Sequence, residues 1–304
     1  MTGARRRRLV VLAIVWLALP AGWLSLRAAV GEGGVQRGVG VTTPTPAVDR
    51  FDVRRAMATV RLQLAAGQRP AGSAALRAVA EQLRRRLPQG HFEDLPDHPG
   101  LRNIVGELPG TAPAIVLGAH YDTEYHPKGF VGANDAAAAV AAVIEVARVL
   151  RHADRGAGAP AIRFVLFDGE EEPAPTDDFY RDALRGSKDY VAAHAAEVRA
   201  MVLLDYIGNH RVRLPREAGS DVGVWRAVRT AAARVGVGAV FPPVAGQGII
   251  DDHVPFLRAG IPAVDLIDWD YRDKDTIHDT YDKLSPVAVD AVGETVVQLL
   301  RTWR

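Results

Sequence analysis

The chain has no cysteine among its 304 residues. That excludes disulfides, thiolate-bound zinc and a cysteine nucleophile. There is no G-x-S-x-G elbow either, so Ser187 in Arg185-Gly186-Ser187-Lys188 reads as a helix cap rather than a nucleophile. No Walker or dinucleotide glycine fingerprint follows a strand. No internal repeat and no second-domain boundary stands out after residue 50. A basic face for nucleic acid is missing as well. Without Arg5 to Arg8 and Arg27, 32 basic residues stand against 36 acidic ones, and the formal charge of +1 becomes about −4.

What is present begins with a targeting pattern. Arg5-Arg6-Arg7-Arg8 precedes a run without charge from Leu9 to Leu26. Roughly 18 apolar residues is near the lower limit for spanning a bilayer. The cationic flank predicts a cytoplasmic N terminus and an exported remainder. Residues 1–30 are therefore expected to be a membrane anchor or a signal peptide, and any membrane contact is expected through that segment alone. Residues 31–50, rich in Gly, Thr and Pro, are expected to form a flexible linker.

Residues 51–304 carry the pattern of one folded domain, and the 48% of hydrophobic residues in the whole chain suffices for a large core. Phe51 to Ala66 and Ser73 to Leu87 predict two helices. Ser73 caps the second, Leu76, Val79, Leu83 and Leu87 form its apolar stripe, and Pro88 ends it. Ala114 to Leu117, Ile162 to Phe167, Met201 to Leu204 and Ala263 to Ile267 predict buried strands. Helices are predicted over Ala136 to Leu150, Ser187 to Arg199 and Val222 to Val235. Alternating strands and helices imply an α/β three-layer sandwich, its central sheet mostly parallel and covered by helices on both faces.

Five segments then end in residues that suit zinc: Gly118 to Asp122 with His120, Gly132 to Asp135, Asp168 to Glu171, Leu203 to Asp205, and His278 to Thr280. Two imidazoles and three carboxylates (His120, Asp135, Glu171, Asp205 and His278) form a ligand set for one or two zinc ions. His120, Glu170, Glu171 and Asp205 fall at or just beyond the C-terminal ends of predicted strands, where open α/β sheets bind ligands. Asp122 is placed to hydrogen-bond the second ring nitrogen of His120. Asp135 starts a helix, so capping and metal binding are compatible roles for it. Glu170 beside Glu171 offers a second carboxylate for moving protons. Asp251-Asp252-His253 reads either as a capped helix start or as a proton relay behind the site.

These motifs occur in the same order in the glutaminyl-peptide cyclotransferases, which share a fold with the zinc aminopeptidases of metallopeptidase family 28. Over residues 51–304 the chain resembles that family in His120-Tyr121-Asp122, Phe130 to Asp135, Phe167 to Glu171, Leu204 to Gly208, Asp251 to Arg258 and His278-Asp279. The resemblance to the cyclases implies one zinc held by Asp135, Glu171 and His278, with Glu170 as proton shuttle and Asp205 and Asp251 in an acidic network. The aminopeptidase branch implies two ions, with His120 and Asp135 joined by Asp205 or Glu171, Asp135 bridging and His278 completing the pair. The pocket departs from the family's pattern. Ile277 stands where a tryptophan is expected, Asp265 stands for a histidine, and no tryptophan lies between Pro173 and Asp178. Trp269 and Tyr271 are alternative sources of aromatic surface.

The expectation is a monomeric zinc enzyme acting on peptide or protein N termini, converting N-terminal glutamine to pyroglutamate with loss of ammonia. The alternatives are a zinc aminopeptidase and an inactive peptide-binding ectodomain.

Overall fold

A computed structural model describes residues 42–304. The anchor or signal peptide expected over 1–30 lies outside the described residues, as does the linker up to residue 41. Among the described residues no helix is long and apolar enough to cross a membrane.

Six strands form one sheet: β1 His91–Asp94, β2 Arg102–Leu108, β3 Thr111–His120, β4 Pro160–Phe167, β5 Val198–Asp205 and β6 Ala263–Ile267. Their order is β1-β2-β4-β3-β5-β6. β3 pairs in parallel with β4 and β5, and β5 with β6, while β1 and β2 run antiparallel at one edge. The helices are α1 Val53–Leu64, α2 Ala74–Arg84, α3 Ala139–Arg151, α4 Phe179–Asp182, α5 Arg185–His194, α6 Val222–Arg234, α7 His253–Arg258 and α8 Pro286–Thr302. This is the expected α/β sandwich with a mostly parallel sheet.

The two-residue period of a strand separates the sheet's faces. Ile115, Leu117 and Ala119 of β3, Phe164 and Leu166 of β4, Val202 and Leu204 of β5, and Val264 and Leu266 of β6 share one core with α1, α2, α3, α6 and α8. Val116, Val165, Phe167, Met201, Leu203 and Ala263 point the other way, against Tyr190 of α5 and Phe256 of α7. Gly118 lies on this second face because a Cβ there would meet the Phe167 ring at 2.6 Å. Each fully buried aliphatic side chain contributes about 1.5–3 kcal/mol. The Leu76, Val79 and Leu83 stripe of α2 is buried as its spacing predicts, and the Ser73 hydroxyl accepts from Leu76 N at 3.1 Å.

Several local differences have physical causes. β1 (His-Phe-Glu-Asp) and β2 were not expected as strands. β1 is too polar for its pattern to announce it, and its ladder to β2 supplies the order. The helix expected from Ser187 to Arg199 begins at Arg185 and ends at His194, because the chain is already in β5 at Val198. Ser187 is not its cap. It is the third residue of α5, and its hydroxyl donates to Leu184 O at 3.3 Å. The helix expected from Ala136 is preceded by a wide turn over Ala133–Ala138, in which Asp135 has extended backbone angles (φ −113°, ψ 88°) and so does not act as a simple cap.

Candidate metal centre and pocket

Parallel pairing builds the centre. The register sets Gly118 against Leu203 and His120 against Phe167. Two residues further along β3 and β5, His120 and Asp205 end adjacent strands on the same face. His120 Nε2 lies 3.7 Å from Asp205 Oδ1 and 3.0 Å from Asp135 Oδ1. Asp135 reaches this point because Gly132 turns the chain at φ +56°, where a Cβ would lie 1.8 Å from Asp135 O. The buried carboxylate of Asp279 accepts from Asn134 N and Asp135 N and holds the turn in place.

Glu170 and Glu171 follow β4. Their backbone N–H groups donate to the two oxygens of buried Asp122, at 3.2 and 3.3 Å. Asp122 Oδ1 also faces His120 Nδ1, but at 3.6 Å it is too far for the hydrogen bond expected there, so this carboxylate fixes the acidic pair and only borders the imidazole. Glu171 joins His120 and Asp135 in a buried group whose ligand atoms lie within 4.8 Å of one another. Glu170 Oε2 stands 3.9 Å from His120 Nδ1.

The structure thus brings together His120, Asp135, Glu171 and Asp205, with Glu170, Asp122 and Asp251 around them. His278 is exposed and lies outside that group, although its neighbour Asp279 is tied to the Asp135 turn.

The donors suit zinc. Among the described residues, nothing hydrogen-bonds the buried Glu171 Oε1, and the carboxylates of Asp135 and Asp205 crowd the Nε2 of a single imidazole. Burial is the chief cause of the resulting shifts. It pushes Glu170 well above the ordinary range, with Asp251, Asp252 and Asp122 adding to the rise against His120. It raises Glu171 similarly, reinforced by Asp135 and Glu170, and lifts Asp205 to about 8 despite His120. Burial depresses His120, but its contacts with Asp122, Asp135 and Asp205 outweigh that and hold it well above normal. A divalent ion relieves this excess of negative charge.

The centre floors a cavity of about 470 Å³ whose wall includes Glu124, Phe179, Tyr206, Ile267, Trp269 and Asp275. Trp269 therefore supplies the aromatic surface sought for the pocket, while Tyr271 packs behind Tyr206 at a centroid distance of 5.9 Å. Ile277 is exposed and contributes nothing to the wall.

The motifs did not reveal Glu124, which burial and Asp135 raise to about 8. Its place two residues past Asp122 was the available signal. Tyr206 lies within the Leu204 to Gly208 motif without a role assigned to it, and its hydroxyl lies 2.8 Å from both Asp135 Oδ2 and Asp275 Oδ1. Arg69 had no local signature. It is fully buried and donates to Gly67 O and Val131 O at 2.8 Å. Burial lowers it to about 10 against the pull of Asp135, Asp122 and Asp279.

Residues 103–300 match the model for Peptidase family M28. Glutaminyl-peptide cyclotransferase from Bos taurus is 28% identical over 228 residues, 63% of this chain and 63% of that protein. The chain thus spans less than two thirds of that relative's length. The structure of Porphyromonas gingivalis glutaminyl cyclase superposes with a TM-score of 0.73 at 29% identity, covering 83% of this chain and 99% of that one. A Zn-dependent exopeptidase from Parabacteroides distasonis gives a TM-score of 0.73 at 25% identity, covering 84% and 99%.

Proposed function

We propose, since this chain belongs to peptidase family M28, that it is a zinc enzyme acting on peptide N termini and that it cyclises N-terminal glutamine. One observation carries this reading. The adjacent Glu170 and Glu171, both buried in the cavity wall, stand differently toward the imidazole: Glu171 joins His120 and Asp135 in one group of ligand atoms, while Glu170 lies beside that group, 3.9 Å from His120 Nδ1.

His120, Asp135, Glu171 and Asp205 would hold the metal, with His278 as a further candidate on the loop anchored through Asp279. Zinc bound there supplies Lewis acidity toward a carbonyl oxygen. The chain's own residues do the rest. Glu124 and Asp275 in the wall would accept hydrogen bonds from the substrate's N-terminal amine, and Trp269 and Phe179 would cover its side chain. Glu170 takes a proton from the α-amine as its nitrogen forms the bond to the γ-carbonyl carbon. It returns that proton to the amide nitrogen, which leaves as ammonia when the old C–N bond breaks. Asp122 fixes the Glu170 backbone throughout, and Asp251 sets the charge beside it.

A second reading has its own observation. His120 stands against both Asp135 and Asp205, an arrangement that suits a two-ion aminopeptidase. Glu170 would then take its proton from water and pass it to the leaving amine. Export, anchoring through residues 1–30 and a monomeric state belong to the same proposal.

The deciding experiment is mass spectrometry of a Gln-Xaa-Xaa peptide incubated with zinc-loaded protein. Loss of ammonia with the peptide otherwise intact is expected for the cyclase. Free glutamine would replace that reading with the aminopeptidase, and an unchanged peptide would remove glutamine from the substrate class.

A further inference from the structure

Behind the cavity wall lies a second buried group, formed by Asp251, His253 and Asp265, whose ligand atoms also lie within 4.8 Å of one another. His253 and Asp265 are wholly buried, and Asp251 is nearly so. Only Asp251 reaches the cavity.

The orientation of His253 is built. Its Nε2 lies 3.2 Å from Glu217 Oε2. Glu217 is in turn fixed by Gly219 N at 2.8 Å, Ile249 N at 3.1 Å and the Ser220 hydroxyl at 2.9 Å. Ser220 also accepts from Asp265 N at 3.0 Å, so one hydroxyl ties the imidazole's partner to the strand that carries Asp265. Nε2 donates to that carboxylate, and in the neutral imidazole the lone pair is then on Nδ1. Metal-binding histidines are held this way, with the far ring nitrogen bonded to a carboxylate.

His253 Nδ1 has no hydrogen-bond partner among the described residues, and neither have Asp251 Oδ2 or either oxygen of Asp265. Nδ1 and Asp265 Oδ2 are 3.9 Å apart. This is too long for a hydrogen bond. It is within the span of two ligands that each lie about 2.0–2.2 Å from one ion.

We propose that Asp251, His253 and Asp265 bind a divalent transition-metal cation, separate from the centre at Asp135. One imidazole and carboxylate oxygens suit zinc or manganese. The ion ties α7 to β6 and holds Asp251 against the cavity from behind. The proposal shares Asp251 with the peptide chemistry above, and its test reads metal content rather than activity.

The test is metal content after zinc loading and dialysis, counted by inductively coupled plasma and native mass spectrometry. Wild type, Asp265→Asn and Glu171→Gln are compared. Asp265→Asn is expected to hold one ion fewer than wild type, and Glu171→Gln to retain at least one. Equal content in wild type and Asp265→Asn would mean that the group shares protons rather than a metal, and would overturn the proposal. Anomalous diffraction at the zinc edge on wild-type crystals covers the case in which the variant does not fold. A peak beside His253 Nδ1 is expected, and a peak at Asp135 with none at His253 would contradict it.

Discussion

On one face of the sheet, Leu117, Ala119, Leu166, Val202 and Leu204 run apolar to the strand ends. On the other, the same strands pass from Val116, Met201 and Leu203 into His120 and Asp205, and β6 passes from Ala263 into Asp265. Neighbours in sequence, such as Leu204 and Asp205, are therefore buried in opposite environments. The apolar face supplies the stability that lets the other face bury carboxylates at a cost. The difference teaches that the acidic residues persist for a ligand, because they gain nothing from packing.

Exchanging the chemistry of the two faces breaks that comparison most severely. Leu204→Asp places an unpaired carboxylate in the core and is expected to cost on the order of 4–5 kcal/mol, read as loss of the folded state in chemical denaturation. The neighbouring Asp205→Asn is expected to leave the metal-free protein as stable as wild type or more so. Equal destabilisation by the two would erase the distinction.

Asp122→Asn sharpens the comparison. It keeps the shape but weakens the hold on the Glu170 and Glu171 backbone. Zinc affinity in competition with a chelator is expected to fall about 10–100-fold.

A pH series gives the next effect. Asp205 and Glu124, raised to about 8, and Asp279, raised to about 7, all lie above their unfolded values of 3.8 or 4.5. Between those limits the folded state binds more protons than the unfolded one. The metal-free protein should therefore lose stability as pH rises from about 4 to about 8. Thermal melts are expected to show a falling Tm over that window, and zinc should reduce the fall. A Tm that rises with pH across it would contradict the assigned charges.

The smallest effect lies far from the acidic face. Ser73→Ala removes the cap of α2 and should cost about 1 kcal/mol without changing zinc binding.

Much of this asymmetry was legible in the residues. The runs Val116-Leu117-Gly118-Ala119-His120 and Met201-Val202-Leu203-Leu204-Asp205 announce both a buried strand and the charge that ends it. Ordered motifs located Glu170 and Glu171 without any geometry. What escaped depends on contacts distant in sequence. β1 is ordered by its ladder to β2, and Arg69 is placed by carbonyls up to 63 residues away. Glu217 gains its role from His253, 36 residues on. The wide turn before α3 rests on Asp279, which lies 144 residues from the backbone of Asp135 that it holds. Periodicity reads neighbours along the chain, and these partners are not neighbours.

The most direct test of the central claim, that Glu171 holds metal while Glu170 moves protons, is Glu170→Gln assayed for zinc content and turnover on the same sample. Retained zinc with turnover reduced by about 10²–10⁴-fold is predicted. Unchanged turnover with zinc in place would contradict the division of labour between the two glutamates.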